Sequence, residues 1–147
     1  MELWELEARI ELTELVHRYN VFGDSGRFAE MVALFAPDGV LEVAAGEVYH
    51  GRVEIEAFMT GIGESVTGGA TPGYIRHHNT TKTFDVTGPN DATGSSYFFV
   101  LTDRGPDHWG RYRDTFTRDR NGRWHFAYRK VRTDGRSPGS WAEEWNR

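Results

Sequence analysis

The chain has 147 residues, a formal net charge of −5, 38% hydrophobic residues and 14% aromatic residues. This length fits one domain, and the acidic balance excludes the basic surface that nucleic-acid and anionic-membrane partners require. The absence of cysteine excludes disulfides, a thiol nucleophile and a cysteine zinc site. The acidic N-terminus lacks the basic start of a signal peptide, and no apolar run approaches the roughly 20 residues of a membrane span, so we expect a cytoplasmic protein.

Helical periodicity dominates the first part of the chain. It predicts a helix over about residues 3–22, broken by glycines after Phe22, with Asp24 or Ser25 capping the helix that follows. The buried stripe of the first helix consists of Leu12, Leu15, Val16, Tyr19 and Phe22.

Three further elements are expected before residue 74. A short second helix is predicted over residues 28–35, ended by Pro37, and a small hairpin over residues 40–49. A third helix follows Gly51, and the glycines within residues 61–73 predict a loop.

From Tyr74 onward the apolar period changes to two, which predicts strands. Four long strands are expected over about residues 74–86, 95–101, 109–118 and 124–132, joined by short turns. Helices followed by antiparallel strands predict a single α+β domain in which a curved antiparallel sheet wraps the N-terminal helix as an open cone. The core would span residues 1–133, and the tail 134–147 carries Trp141 and Trp145, which argue that it docks over the pocket.

Tyr19 and Asp24 are the first candidate site residues. Tyr19 lies in the buried stripe, where its hydroxyl needs a partner, and Asp24 follows at the same end of the helix. Both can face one cavity. The alternative is a buried tyrosine and a capping aspartate.

The pair His77-His78 begins the first long strand. Adjacent residues of a strand point to opposite faces, so one histidine can look into the cone, and alternation alone does not choose between them. Histidine suits general base catalysis at neutral pH, and Asp24 is the candidate carboxylate to orient it. The alternative is one surface histidine beside one core histidine.

The six histidines show no metal-ligand spacing, so no catalytic metal is expected. Among the histidines outside the His77-His78 pair, His108 is the candidate for a pocket residue. Arg129 shares a strand face with apolar neighbours and therefore needs an anion, either a substrate oxygen or the carboxylate of Asp114 in a purely structural pair.

Several short segments, in this order along residues 12–131, resemble the SnoaL-like family of the nuclear transport factor 2-like superfamily. They are Leu15-x3-Tyr19-x4-Asp24, Leu34-Phe35-x2-Asp38, His77-His78, Gly110-Arg111-Tyr112-x-Asp114 and Trp124-x4-Arg129. The resemblance implies a conical fold with a ligand cavity, in dimers or trimers.

Within that superfamily, the positions of Tyr19, Asp24 and His77 are similar to those of cofactor-independent dehydratases. Bile acid 7α-dehydratase is similar in its tyrosine five residues before the aspartate and in its His-His strand start. Scytalone dehydratase shares the Asp-His pair with different tyrosines, and hexachlorocyclohexane dehydrochlorinase has a lysine at the position of Tyr19. The resemblance favours His77 over His78.

The resemblance therefore implies a lyase with no cofactor, acting by dehydratase-type elimination on a small hydrophobic alicyclic or polyketide-like substrate. Tyr19, Asp24 and His77 would be catalytic, Arg129 would bind the substrate, and the protein would form a homo-oligomer. An isomerase or cyclase using the same base, or a non-catalytic ligand-binding module, stays open as an alternative.

Overall fold

The computed structural model describes residues 1–43, 46–66 and 72–144. Its first part contains α1 (Leu3–Asp24), α2 (Phe28–Val32), β1 (Phe35–Glu42), β2 (Val48–His50) and α3 (Gly51–Val66). Four long strands follow: β3 (Ile75–Gly88), β4 (Asp91–Thr102), β5 (Gly105–Arg118) and β6 (Trp124–Arg136). A 3₁₀ turn at Trp141–Glu144 ends the described chain.

The predicted apolar stripe is the buried side of α1. Leu12, Leu15, Val16 and Tyr19 are all buried, and Phe22 packs against the same core while partly exposed. Removing each such side chain from water contributes about 1.5–3 kcal/mol, which is why this long helix lies against the sheet.

The strands form one six-stranded sheet in the order β2-β1-β6-β5-β4-β3. Neighbouring strands are antiparallel except for β1 and β6, which are parallel. α1 contacts both β3 and β6, which are three strands apart, about 14 Å in a flat sheet. One helix reaches both because the sheet curves around it, and the edges β2 and β3 do not pair, so the cone stays open. The predicted α+β class is confirmed.

The second helix is shorter than predicted, because its expected last residue belongs to a strand. α2 ends at Val32, and Phe35 begins β1, which contains Pro37. β1 pairs with β6 at Phe35 and again only from Val40, and the irregularity between these positions leaves Pro37 outside the ladder. A proline has no N–H to donate and is tolerated at such a break.

The expected cap at the start of α2 is also wrong. The hydroxyl of Ser25 donates to the carbonyl of Val21, and the N-cap residue Arg27 makes no capping side-chain bond. Asp24 is the last residue of α1, and its carboxylate takes part in another contact.

The loop expected from Gly61 begins later, because α3 continues to Val66. A Cβ at Gly63 would lie 2.6 Å from the ring of Phe28, so glycine permits the close packing of α2 on α3. This tertiary contact outweighs the weak helix propensity of glycine.

At the C-terminal end, β6 extends to Arg136, four residues beyond its predicted end. Trp145 lies outside the described residues. None of the described helices is long and apolar enough to cross a bilayer.

Candidate active site

A cavity of about 570 Å³ lies between α1, α3 and the inner face of the sheet. This volume falls within the roughly 300–1,000 Å³ range of small-molecule sites, and most of the lining is apolar. Tyr19, Asp24 and His77 line the cavity, whereas Arg129 is not among its described lining residues. The structure therefore brings three of the four predicted site residues to one cavity.

Asp24 and His77 are joined by two contacts. The backbone N–H of His77 donates to Asp24 Oδ2 at 2.8 Å, and the ring Nδ1 lies 2.5 Å from Asp24 Oδ1. Because a carboxylate oxygen accepts hydrogen bonds, the neutral form of this ring carries its proton on Nδ1 and leaves the lone pair on Nε2. The side chain of His77 is 23% exposed. Asp24 therefore holds the ring at Nδ1, while the rest of the ring remains accessible from the cavity.

Strand register decides which histidine faces inward. His77 pairs with the buried Val100 of β4, and His78 pairs with the partly exposed Phe99. The ring of His78 stacks on that of Phe99 on the outer face, with centroids 4.7 Å apart. His77 is therefore the inward histidine, as the resemblance implied.

A second Asp–His pair adjoins the same cavity, which its histidine, His108, lines. His108 Nδ1 lies 2.7 Å from Asp107 Oδ2, both residues are buried, and the ring of His108 is 6.1 Å from that of His77. His108 was a candidate pocket residue from the sequence, whereas Asp107 was missed. Alternation along β5 would turn Asp107 outward, but a register irregularity opposite Val100 buries two consecutive residues.

Asp107 also fastens the C-terminal segment to the site. Its Oδ2 accepts from the hydroxyl of Ser140 at 2.6 Å, and its Oδ1 accepts from the backbone N–H of Trp141 at 2.9 Å. Trp141 lines the cavity, with its ring centroid 6.3 Å from that of His108. One carboxylate therefore holds both an imidazole and the segment beside the cavity.

These contacts and the burial of the pair shift the pKa values of Asp107 and His108. Burial alone would raise the pKa of Asp107, but the hydrogen bonds from Ser140, His108 and Trp141 outweigh it and lower that pKa. Burial lowers the pKa of His108, against the opposing effect of its bond to Asp107. Burial therefore favours the neutral form of the His108 imidazole.

Tyr19 sits among rings near the end of α1. Its ring makes edge contacts with Phe35, Tyr112 and Phe126 at centroid distances of 5.5–6.2 Å. Burial raises the pKa of Tyr19, while the nearby charge of Arg129 acts in the opposite sense. The phenol is thus a protonated hydrogen-bond donor at neutral pH.

Arg129 is paired with Asp114 and is not among the described residues that line the cavity. Its Nε and one terminal nitrogen donate to the two carboxylate oxygens at 2.8 and 3.0 Å, and the arginine is fully buried. The guanidinium carbon lies 4.2 Å from the ring centroid of Tyr19 and 3.7 Å from that of Tyr112. The structural pair left open by the sequence is therefore formed, and direct substrate binding by Arg129 stays a prediction.

Within residues 1–43, 46–66 and 72–144, no three acidic or histidine side chains converge as a set of metal ligands. The chemistry that this site offers through its own side chains is that of two carboxylate-held imidazoles and a phenol in an apolar cavity.

Comparison with known proteins gives the family. No curated protein matches the chain. A candidate scytalone dehydratase from Novosphingobium aromaticivorans is 22% identical, with a TM-score of 0.79 over 93% of this chain and 91% of its own. LinA is 15% identical, with a TM-score of 0.77 over 90% of each chain. An NTF2-like protein with a cystatin-like fold, also from Novosphingobium aromaticivorans, is 26% identical, with a TM-score of 0.76 over 93% of this chain and 88% of its own.

At such identities these solved structures establish a shared fold. A family model of the SnoaL-like domain matches residues 4–130, which is most of the chain. The protein therefore belongs to the SnoaL-like domain family.

Proposed function

We propose that the protein is a lyase that eliminates water, or another β-leaving group, from a hydrophobic alicyclic or polyketide-like carbonyl compound. The observation that carries this proposal is the Asp24–His77 pair, whose ring Nδ1 lies 2.5 Å from the carboxylate in a mostly apolar cavity. The dehydratase name of one structural neighbour belongs to that protein, and a shared fold alone does not assign a reaction.

The first step is removal of a proton from carbon. Nε2 of His77 takes a proton from the carbon next to the substrate carbonyl, and the electron pair of the broken C–H bond forms an enolate. Asp24 keeps the ring in the right tautomer and stabilises the imidazolium that results. A positioned base of this kind contributes typically about 10²–10⁴ in rate.

The second step is loss of the leaving group. The enolate electrons form the new C=C bond as the β C–O bond breaks, and the departing oxygen takes the phenolic proton of Tyr19. The positive charge of Arg129 near the phenol lowers the cost of the transient phenolate. The imidazolium of His77 then returns its proton to the phenolate, so both residues end as they began and water is released.

His108 supplies a second ring nitrogen on the same cavity wall. With its Nδ1 proton donated to Asp107, its Nε2 is an acceptor for a substrate hydroxyl. In this proposal His108 orients the leaving group, and Arg129 acts through the Tyr19 ring.

The test is a screen of mono- and bicyclic β-hydroxy ketones by mass spectrometry, followed by kinetics of two variants. Elimination yields a product that has lost one water. His77→Ala is expected to lower kcat by about 10²–10⁴, because it removes the base. The matched control is His78→Ala, whose ring lies on the outer face, and its kcat is expected to stay within about twofold of wild type.

Two results would contradict the proposal. Unchanged turnover in His77→Ala would remove the base from the mechanism. A product of unchanged mass would mean isomerisation or cyclisation instead of elimination.

The homo-oligomer implied by the resemblance remains part of the proposal. The outer face of the sheet exposes Tyr97, Phe99 and Trp109, which are 56%, 38% and 41% exposed. Large aromatic side chains are enriched at protein interfaces, so we expect a second copy of the chain to cover this face. Sedimentation should give a dimer or trimer that Trp109→Glu dissociates, and a monomeric wild-type protein would contradict this part.

A further inference from the structure

Asn20 is a buried polar residue that the mechanism above does not use. It is 6% exposed and lines the cavity. Asn20 precedes Asp24 by four residues, about one turn of α1, so both side chains lie on the same face of the helix. An amide group is thus placed one turn from the carboxylate that holds His77.

The orientation of this amide is set by Tyr112. The hydroxyl of Tyr112 donates to Asn20 Oδ1 at 3.3 Å, and burial raises the pKa of that phenol far above its usual value. The phenol therefore keeps its proton, and a buried proton of this kind needs an acceptor. Since an amide oxygen accepts and an amide nitrogen donates, the oxygen of Asn20 must face Tyr112.

The NH2 group of Asn20 consequently points away from Tyr112. In the described part of the chain it makes no hydrogen bond, and it is not among the fully enclosed side-chain groups that lack a partner. It therefore reaches the open space of the cavity. Its two N–H bonds form a neutral donor pair held in place before any ligand arrives.

We infer that Asn20 is a hydrogen-bond donor for a substrate oxygen that carries or acquires negative charge, with Tyr112 as the positioning residue for its amide. The assignment of that oxygen to a carbonyl becoming an enolate rests on the proposed function, whereas the donor site itself does not. A donor fixed in an apolar cavity stabilises developing negative charge without reorganising, and removing one such donor typically costs about 10²–10³ in kcat.

The experiment uses para-nitrophenol as an enolate mimic, because its phenolate form has a distinct absorption band. Wild-type protein is expected to bind the phenolate, measured by absorbance titration and calorimetry at neutral pH. Asn20→Asp is expected to weaken binding by tenfold or more, on the order of one lost hydrogen bond to a charged group. This variant keeps the volume and the acceptor for Tyr112, so folding, followed by circular dichroism, is expected to survive.

Three further variants separate the donor from its surroundings. Asn20→Leu should weaken phenolate binding as Asn20→Asp does, although it adds no charge. Tyr112→Phe should weaken it less, because the amide remains but turns freely. Thr60→Val, a change at another polar residue of the lining, should leave the affinity within about twofold.

Phenolate affinity within twofold of wild type in folded Asn20→Asp or Asn20→Leu overturns the inference, even if elimination is found. Failure of the wild-type protein to bind the probe overturns it too. If the probe binds as expected but no compound loses water, the donor site stands and the proposed lyase activity falls.

Discussion

Replacement of Asp24 by asparagine tests the link between the carboxylate and the tautomer of His77. In the structure, one carboxylate oxygen accepts from the backbone N–H of His77 at 2.8 Å and the other lies 2.5 Å from ring Nδ1. Asparagine offers one oxygen and one NH2 group in the same space. The backbone N–H can only donate, so the amide oxygen must stay with it and the NH2 group must face Nδ1.

A ring nitrogen that faces an N–H donor has to accept. We therefore expect the proton of His77 to move from Nδ1 to Nε2 in Asp24→Asn, which removes the lone pair proposed as the base. In a Ser-His-Asp triad, the same exchange lowers kcat by about 10⁴ through the wrong tautomer. An effect of about 10³–10⁴ is expected here, with the fold intact.

Nitrogen NMR of the imidazole distinguishes the tautomers directly and needs no substrate. The matched control is Asp85→Asn, an exposed aspartate on the same strand as His77, which should leave the spectrum and the turnover unchanged. The reasoning is refuted if Nε2 already carries the proton in the wild-type protein. It is also refuted if Nδ1 keeps its proton in Asp24→Asn.

Three further outcomes are expected. Asp107→Ala removes the acceptor of three hydrogen bonds, so the free energy of unfolding, measured by calorimetry, should fall by about 3–5 kcal/mol and Tm by on the order of 10 °C. A loss smaller than about 1 kcal/mol would contradict the role of this carboxylate. Arg129→Met should lower the free energy of unfolding by about 3–5 kcal/mol, because it leaves Asp114 buried without its cation. Adding Asp114→Leu should recover most of this loss, which urea unfolding of the single and double variants measures. Because the pKa of His108 is lowered on folding, the unfolded chain binds more protons near pH 6, so the free energy of unfolding should fall as pH drops from 7 towards 5. His108→Gln should lack this part of the pH dependence of stability. The same pH dependence in His108→Gln and wild type would contradict the prediction.

The residue pattern by itself determined the elements and the class of fold. The spacing of Leu12, Val16 and Tyr19 predicts a helix with one buried side, because helical periodicity is a local property of the chain. The change to period two at Tyr74 predicts the strands of the cone for the same reason. Tyr19 and Asp24 were found as candidates because they lie only five residues apart in the sequence, at the same end of the first helix.

The tertiary structure decided how residues of different helices and strands are brought together. The register of β3 against β4 turns His77 inward, and an irregularity in β5 buries Asp107 against the alternation of its neighbours. The pairing of β5 with β6 places Arg129 opposite Asp114, where the two form an ion pair. Arg129 is therefore not among the described residues that line the cavity. A shift of one residue reverses the face of every side chain that follows, and such shifts depend on contacts between distant segments, which local spacing does not encode.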